Sequence, residues 1–505
     1  MNILAIYPQE PELPVFEKMP PLGMLWIAGE LRRAGHQVVF LDEQVENRDA
    51  GHLAAELHPA LALLGGTSHC RFRSFEIAAS LKRHSPETTV VYGGPHATFA
   101  IEDTLAHIPT VDVIVRGEGE QACLELAQWA SHGKHLAELS GIKGIGYRDN
   151  GRIARTSPRA INDDLDSLGP PARDLVPMAR YHMMMDYMGI PGASVITARG
   201  CPIGCTFCSA AAMFGKSYRT RNPSLVVDEI EGLLSDYGIQ GIKIFDSTFT
   251  LQRSHAEGFC AELLDRRIQI PWECEIRVGS VDKRLLATMQ QAGCYYVDVG
   301  VESGSQRVLD HCIRKRTSVS DAEQLLRWTR ELGLLTKVFF TIGHPGETWP
   351  EACETNRFIR RNRRSIRLAA YQAGIKIYPG TAVETFARER NLMPAGFHWS
   401  KPYTNTLNRS LFRPVDSIPL LIQPGMGLRE LRRLRLGFIA LRVSSPRFVW
   451  EKLKAIVQSR AIPDYLRILL RGALLRCAGR SPSGKAVPPS SPARRTGESN
   501  HAPPD

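Results

Sequence analysis

Three cysteines stand in one short loop, Arg199-Gly200-Cys201-Pro202-Ile203-Gly204-Cys205-Thr206-Phe207-Cys208-Ser209, spaced C-x3-C-x2-C. At that spacing three thiolates can converge on one centre, and soft sulfur ligands select zinc or an iron–sulfur cluster. A structural zinc site ordinarily takes four ligands. Three cysteines on a cubane cluster leave one iron open to an exchangeable ligand. The other eight, Cys70, Cys123, Cys260, Cys274, Cys294, Cys312, Cys353 and Cys477, show no paired spacing and fall mostly in apolar patterns, so they read as core residues.

The elements that must position this loop alternate strand with helix. Strand-like runs at Ser194 to Ala198, Ile242 to Phe245, Trp272 to Val278, Tyr295 to Val301, Thr336 to Ile342 and Ala369 to Ile377 are separated by helix-like segments such as Ser224 to Tyr237, Ala256 to Arg266 and Asp321 to Leu332. Six such repeats predict a partial (β/α)6 barrel, shorter than the closed eight-fold form, with its site at the strand C-termini. A first alternation precedes it, with strands at Asn2 to Tyr7, Gln37 to Asp42, Ala60 to Gly65, Thr89 to Gly93 and Val111 to Val115, and helices including Leu22 to Ala34 and Phe72 to His84. Crossovers of that length predict a doubly wound, Rossmann-like parallel sheet. Ligands of such sheets sit beyond the strand C-termini. There the chain places Gly65-Gly66-Thr67-Ser68, Gly93-Gly94-Pro95-His96 and Arg116-Gly117-Glu118-Gly119-Glu120, three glycine turns that admit close backbone approach. The expected division is an α/β domain over 1–135, a linker over 136–190 with a β excursion at Gly144 to Ile153, the barrel over 191–395, a basic helical region over 396–480 and a disordered Pro/Ser-rich tail over 481–505.

The net charge of +11 is unevenly distributed. Residues 426–480 hold thirteen Lys or Arg against three acids, while residues 1–425 are neutral. A neutral body argues against a nucleic-acid binder. In the basic segment, Leu431, Leu434, Phe438 and Ile439 interleave with Arg429, Arg432, Arg433 and Arg435, and Trp450 and Leu453 with Lys452 and Lys454. This pattern fits either helices on an anionic membrane surface or a helical cap on the barrel with a solvated basic face. Arg357-Phe358-Ile359-Arg360-Arg361-Asn362-Arg363-Arg364 reads as the exposed end of a barrel helix, with a phosphate contact as the alternative. With no basic n-region and no apolar run near eighteen residues, the sequence predicts a cytoplasmic chain, peripheral at the membrane if the basic segment docks there.

The cysteine loop and its surroundings resemble the signature of the radical S-adenosylmethionine superfamily. The resemblance implies that Cys201, Cys205 and Cys208 hold a [4Fe-4S] cluster whose open iron is chelated by S-adenosylmethionine, and that reductive cleavage yields a hydrogen-abstracting 5′-deoxyadenosyl radical. Phe207 corresponds to the aromatic position near adenine. Asp246 and Ser247, after the second barrel strand, correspond to the segment that meets the cofactor amino group. Arg277 corresponds either to a group near the cofactor carboxylate or to a rim salt bridge. Glu302 and Ser303 correspond to ribose contacts, and Gly343 lies in a turn that approaches the cofactor through its backbone. His344 beside it reads as a loop histidine.

Together with the first domain the chain, over about residues 1–395, resembles the cobalamin-binding subgroup of these enzymes, through Met19-Pro20-Pro21-Leu22-Gly23 and the glycine turns. The resemblance implies cobalamin near Gly65, Gly66, Thr67, Gly93, Gly94, His96, Gly117 and Glu118. The D-x-H-x-x-G motif is absent, which fits cobalamin held without a protein histidine below the metal. It also implies methyl transfer to an unactivated carbon of a small-molecule or lipid substrate, with electrons from a flavodoxin or ferredoxin. The alternative is a rearrangement resembling the anaerobic porphyrin-ring cyclases.

Overall fold

The computed structural model describes residues 1–9, 18–181, 190–405, 407, 417–443 and 450. Its first sheet is built from the apolar runs β1 (Asn2–Tyr7), β2 (Gln37–Asp42), β3 (Leu61–Leu64), β4 (Thr89–Tyr92) and β5 (Val113–Val115). The last three are buried along their whole length, as strands covered by helices on both faces must be. The five are parallel in the order 2-1-3-4-5, so the order reverses between β1 and β3. One face packs on the helices Leu22–Arg33 and Glu120–Ser131, the other on Ala50–Leu57 and Arg71–His84, each with its own apolar cluster. Within the segment expected to be a linker, β6 (Ile145–Asp149) and β7 (Arg152–Arg155) form a hairpin that adds antiparallel to β5. Its turn is Asn150-Gly151, both at positive φ, the backbone that a two-residue hairpin requires.

The second unit begins with β8 (Gly192–Val195), followed by a two-stranded antiparallel pair, β9 (Ala198–Arg199) and β10 (Arg219–Thr220). The strands β11 (Gly241–Ile244), β12 (Trp272–Arg277), β13 (Cys294–Glu302), β14 (Leu335–Ile342) and β15 (Leu368–Ala373) continue β8 in chain order, all parallel. Helices cover the outside, three of them started by side chains that accept a first-turn N–H: Asn222, Asp282 and Ser318. Strand alternation sends Trp272, Cys274 and Ile276 outward into the core and Glu273, on the opposite face of the strand, into the lumen. There Lys243 Nζ lies 3.1 Å from Glu273 and 3.7 Å from Asp298, and Lys337 Nζ lies 3.6 Å from Asp298. Ion pairs thus occupy the lower lumen where closed barrels stack aliphatic layers.

The helix Leu428–Val443 buries Leu431, Leu434 and Phe438 against the barrel, Phe438 stacking on Tyr371 at 4.2 Å. Its apolar side is therefore a cap, while Leu436 and Ile439 face outward, 65% and 42% exposed. Apart from Trp450, the later part of the basic segment and the 481–505 tail lie outside the described residues. No helix among the described residues is long and apolar enough to cross a membrane.

Candidate active site

The cysteine loop leaves β9 at Gly200, whose φ of 94° and close approach to the Ser217 carbonyl leave no room for a side chain. Its middle is pinned through Thr206, which donates its N–H to Ile313 O (3.0 Å) and its hydroxyl to Cys312 O (2.8 Å) and accepts from Val383 N (3.1 Å). Cys201 and Cys205 are half-buried and Cys208 is exposed. Burial pushes the Cys205 thiol up to about 11 and raises that of Cys208, and the charge of Cys201 opposes the ionisation of both. Two thiols whose ionisation is opposed by burial, and by the third beside them, fit a cationic metal centre, which reverses that balance. Phe207 packs beside Leu309 and Ile313, with its ring 5.5 Å from that of His344. The donor set and its half-open setting fit a three-thiolate cluster.

Beside the loop, at the C-terminal ends of the barrel strands, a register shift in β13 between Gly300 and Glu302 re-aims Glu302, which takes φ 68°. Lys315 Nζ donates to Glu302 Oε1 at 2.8 Å in a buried pair, and Thr341 donates to Oε2 at 3.2 Å. A methyl on Gly300 would lie 2.5 Å from that carboxylate and 2.7 Å from Nζ, so glycine makes the space for the pair. Lys315 also acts electrostatically on Cys205 and Cys208. Arg277 donates to the carbonyls of Lys315 and Arg316 (2.7 and 2.6 Å), holding a loop in which Arg314 and Arg316 have positive φ. Its described partners are these carbonyls and not the carboxylate of a rim salt bridge, and it lies within the fields of Cys205 and Cys201.

Several predicted contacts are committed to the protein itself. Asp246 is buried, and both its oxygens are taken by the end of the first barrel strand: Oδ1 accepts from Thr197 N (2.7 Å) and Ala198 N (3.1 Å), Oδ2 from the Thr197 hydroxyl (2.6 Å). Burial pushes its carboxyl up to about 6. Ser247 is exposed. Ser303 is fully buried, its hydroxyl 3.2 Å from Thr355 Oγ1 and accepting from Ser305 N, so it caps a turn toward the Trp349–Arg361 helix instead of facing the site. Gly343, at φ 93°, lies beside Gly374 at the end of β15. Its N–H and that of His344 both donate to Glu347 Oε2 (2.6 and 3.0 Å). His344 is fully buried, bonded to Thr341, and held neutral by burial, which lowers it to about 3.

The glycine turns of the first domain face this rim. Tyr378 hydroxyl lies 3.0 Å from His69, just beyond Thr67, and a methyl on Gly380 would strike Phe99. Gly66 and Gly94 have positive φ, and a methyl on Gly94 would come 2.6 Å from Gly66 O. Gly65 abuts Met24, Gly93 is half-buried, and Gly117 has φ 70°. Two side chains of these turns are engaged elsewhere. His96 is fully buried, bonded to Ser68 (3.0 Å) and packed edge-on against Trp399. Glu118 bridges the domains, accepting from Arg219 (2.8 and 3.0 Å) and Arg199 (3.3 Å), while Glu120 takes the other arm of Arg199 at 2.8 Å. The glycines of these turns leave backbone open to close approach, which fits a large group that they would cradle.

Sequence reasoning did not find Lys315, which sits in a loop with no motif, nor the partners of Glu118, which lie 81 and 101 positions away. It also passed over Glu275, whose carboxyl burial and the Asp298 charge push up to about 7. Strict polar alternation in Trp272-Glu273-Cys274-Glu275-Ile276-Arg277 signals that residue.

The radical SAM superfamily model matches residues 195–359, and the B12 binding domain model matches residues 14–127. The chain is 31% identical over 385 residues to an uncharacterized methyltransferase of Pyrococcus horikoshii, covering 76% of this chain and 81% of that one. It is 28% identical to the anaerobic magnesium-protoporphyrin IX monomethyl ester cyclase of Rubrivivax gelatinosus, covering 71% of this chain and 66% of that one. Its fold is shared with the radical S-adenosylmethionine methyltransferase TsrM of Kitasatospora setae, solved with cobalamin and a [4Fe-4S] cluster: TM-score 0.64, 21% identity, 86% and 81% of the two chains. The two domains together imply a [4Fe-4S] cluster, S-adenosylmethionine and cobalamin as cofactors. Thiols of the right number on one loop, a polar rim beside them and a glycine-turned sheet facing both follow one plan, and the chain belongs to the cobalamin-binding radical S-adenosylmethionine enzymes.

Proposed function

We propose that this enzyme transfers a methyl group to an unactivated carbon of a small-molecule or lipid substrate. The observation that carries the reading is the opposition of the two strand-end faces, with the turns after β3, β4 and β5 against the rim that bears the cysteines. When bound, the cluster with S-adenosylmethionine supplies hydrogen-atom abstraction and cobalamin supplies the methyl group. The chain's own residues bind, orient and exclude water. Cys201, Cys205 and Cys208 are the cluster ligands. Phe207 and the Gly343 backbone flank the cofactor beside them, while Glu302, held in place by Lys315, is the rim's acceptor for hydroxyl or ammonium donors. Arg277 acts by holding the 314–316 loop, and Asp246 by fixing the start of the cysteine loop. Gly65, Gly66, Thr67, Gly93, Gly94 and Gly117 offer backbone to cobalamin. Residues 1–135 form the cobalamin domain and 191–395 the radical domain, reduced by a flavodoxin- or ferredoxin-type donor.

Anaerobically reconstituted protein with dithionite, cobalamin and S-adenosylmethionine is expected to release 5′-deoxyadenosine, and Cys205→Ala to abolish that release. Transfer of label from methyl-labelled S-adenosylmethionine into a product supports methylation. Deoxyadenosine release with an unlabelled, dehydrogenated product would replace it with the ring-forming reading, toward which the similarity to the Rubrivivax cyclase points.

A further inference from the structure

Two histidines and an aspartate meet where the first domain touches the segment that follows the barrel. Asp103 and His107 are an i, i+4 pair on the helix Ile101–His107, and so share one of its faces. His398 comes from the loop after the helix Ala382–Glu389. One nitrogen from each histidine and one Asp103 oxygen lie within 4.8 Å of one another. His107 Nδ1 is 3.8 Å from Asp103 Oδ1, His398 Nδ1 is 3.7 Å from Oδ2, and the two rings stand edge to face with centroids 5.1 Å apart. Both histidine–carboxylate separations are too long for a hydrogen bond. Donors that bind zinc at about 2.0–2.1 Å in a tetrahedral array lie about 3.4 Å apart, so turning the two accessible rings inward seats one ion among all three.

The carboxylate is fastened to the segment that carries His398. Asp103 Oδ1 accepts from Ser400 N (2.9 Å) and from the Ser400 hydroxyl, and Oδ2 accepts from Trp399 N (3.1 Å), which leaves Oδ2 a lone pair for a metal. Trp399 is buried against Phe397 and His96 and donates its indole N–H to Glu384 (3.1 Å), holding the backbone on either side of His398. His107 Nδ1 lies 2.8 Å from the Asp103 carbonyl, which anchors that ring beside the carboxylate. The histidine side chains are 42% and 39% exposed, so an ion can enter from solvent. Two imidazoles with one carboxylate suit zinc and its late first-row neighbours, whereas magnesium and calcium take oxygen donors. Three protein ligands leave the fourth tetrahedral position to water. We propose that Asp103, His107 and His398 bind a zinc ion that clasps the first domain to the segment following the barrel, beside the contact of Trp399 with His96. The inference goes beyond the methyl-transfer reading and does not depend on it, since the site shares no residue with the cysteine loop.

Calorimetric titration of zinc into the untagged, anaerobically reconstituted full-length protein tests this. With the three cysteines occupied by the cluster, one zinc per chain is expected to bind at micromolar concentration, with iron content unchanged. His398→Gln and, separately, His107→Gln should each weaken binding at least about ten-fold, since loss of even an outer-shell partner costs that much. Zinc should also raise the melting temperature of the parent protein and of neither variant. Zinc binding that survives in both histidine variants, that requires millimolar zinc, or that is matched by loss of iron overturns the proposal. Both side chains are solvent-accessible, and unchanged melting of the zinc-free variants checks that the fold is retained.

Discussion

The two ends of the barrel handle charge in opposite ways. At the rim, buried charges are matched within the chain: Glu302 with Lys315, Glu118 with Arg199 and Arg219, Arg277 with two carbonyls. At the base, the described residues that line one cavity include five arginines and no acid. The neutrality of residues 1–425 is therefore a sum that conceals a local surplus, since four of those arginines precede residue 426. A rim whose charges are satisfied internally holds its geometry before any cofactor arrives.

The strongest way to break the order of the rim is to move its backbone. Gly200→Ala places a methyl against the Ser217 carbonyl at a φ that disfavours it, so complete loss of cluster assembly is expected, read as iron and sulfide content after anaerobic reconstitution. Retained stoichiometric iron would show that Gly200 is not needed to shape the loop. Next comes the matched pair itself. Lys315→Met leaves Glu302 buried without its partner, and urea unfolding should show a loss of about 3 kcal/mol, with Glu302→Gln in the same chain recovering more than half. A loss in the double variant equal to the single one would mean that the two charges are not coupled.

Much of this contrast was legible in the sequence, and the remainder was hidden for a physical reason. The parallel strands announce themselves as short apolar runs because they are buried on both faces, and the three cysteines because their spacing is local. The commitments of polar side chains depend on partners far along the chain. His96 is as plausible a cofactor contact as any turn residue until Trp399, some three hundred positions later, is packed against it. Ser303 looks like a ribose contact until Thr355 meets it. Glu118 and Asp246 look like ligand acids until Arg219 and Thr197 take their oxygens. The base cavity escapes for the same reason: Arg330, the 363–367 run and Arg442 are separate in sequence and converge only on folding.

A finer test of the rim uses two neighbours whose burial shifts oppose each other. Burial lowers His344 to about 3, and burial raises Glu347 to about 7. Between about pH 4.5 and 6.5 the unfolded histidine binds a proton that the folded one does not, so its contribution to stability is lost as pH falls. Over the same window the folded Glu347 binds a proton that the unfolded one does not, so its contribution is lost as pH rises. Their slopes cancel in the parent protein. Relative to it, His344→Gln should tilt unfolding free energy downward with rising pH by about 1.4 kcal/mol per unit, and Glu347→Gln upward by a similar amount. Parallel pH profiles for the two variants would show that the turn is not titrated in this way.

The smallest expected effect belongs to the base. Removing two of five like charges at an exposed mouth relieves repulsion without breaking a buried contact, so Arg363→Gln with Arg364→Gln should change unfolding free energy by no more than about 0.5 kcal/mol, in the stabilising direction. Added salt should erase even that, because exposed charges are screened beyond about 8 Å at physiological ionic strength. The Lys315 effect at the rim should persist in salt, since that pair is shielded from counter-ions by burial. A loss above about 1 kcal/mol in the arginine variant, insensitive to salt, would mean that the base is held together by its charges as the rim is, and the difference between the two ends would disappear.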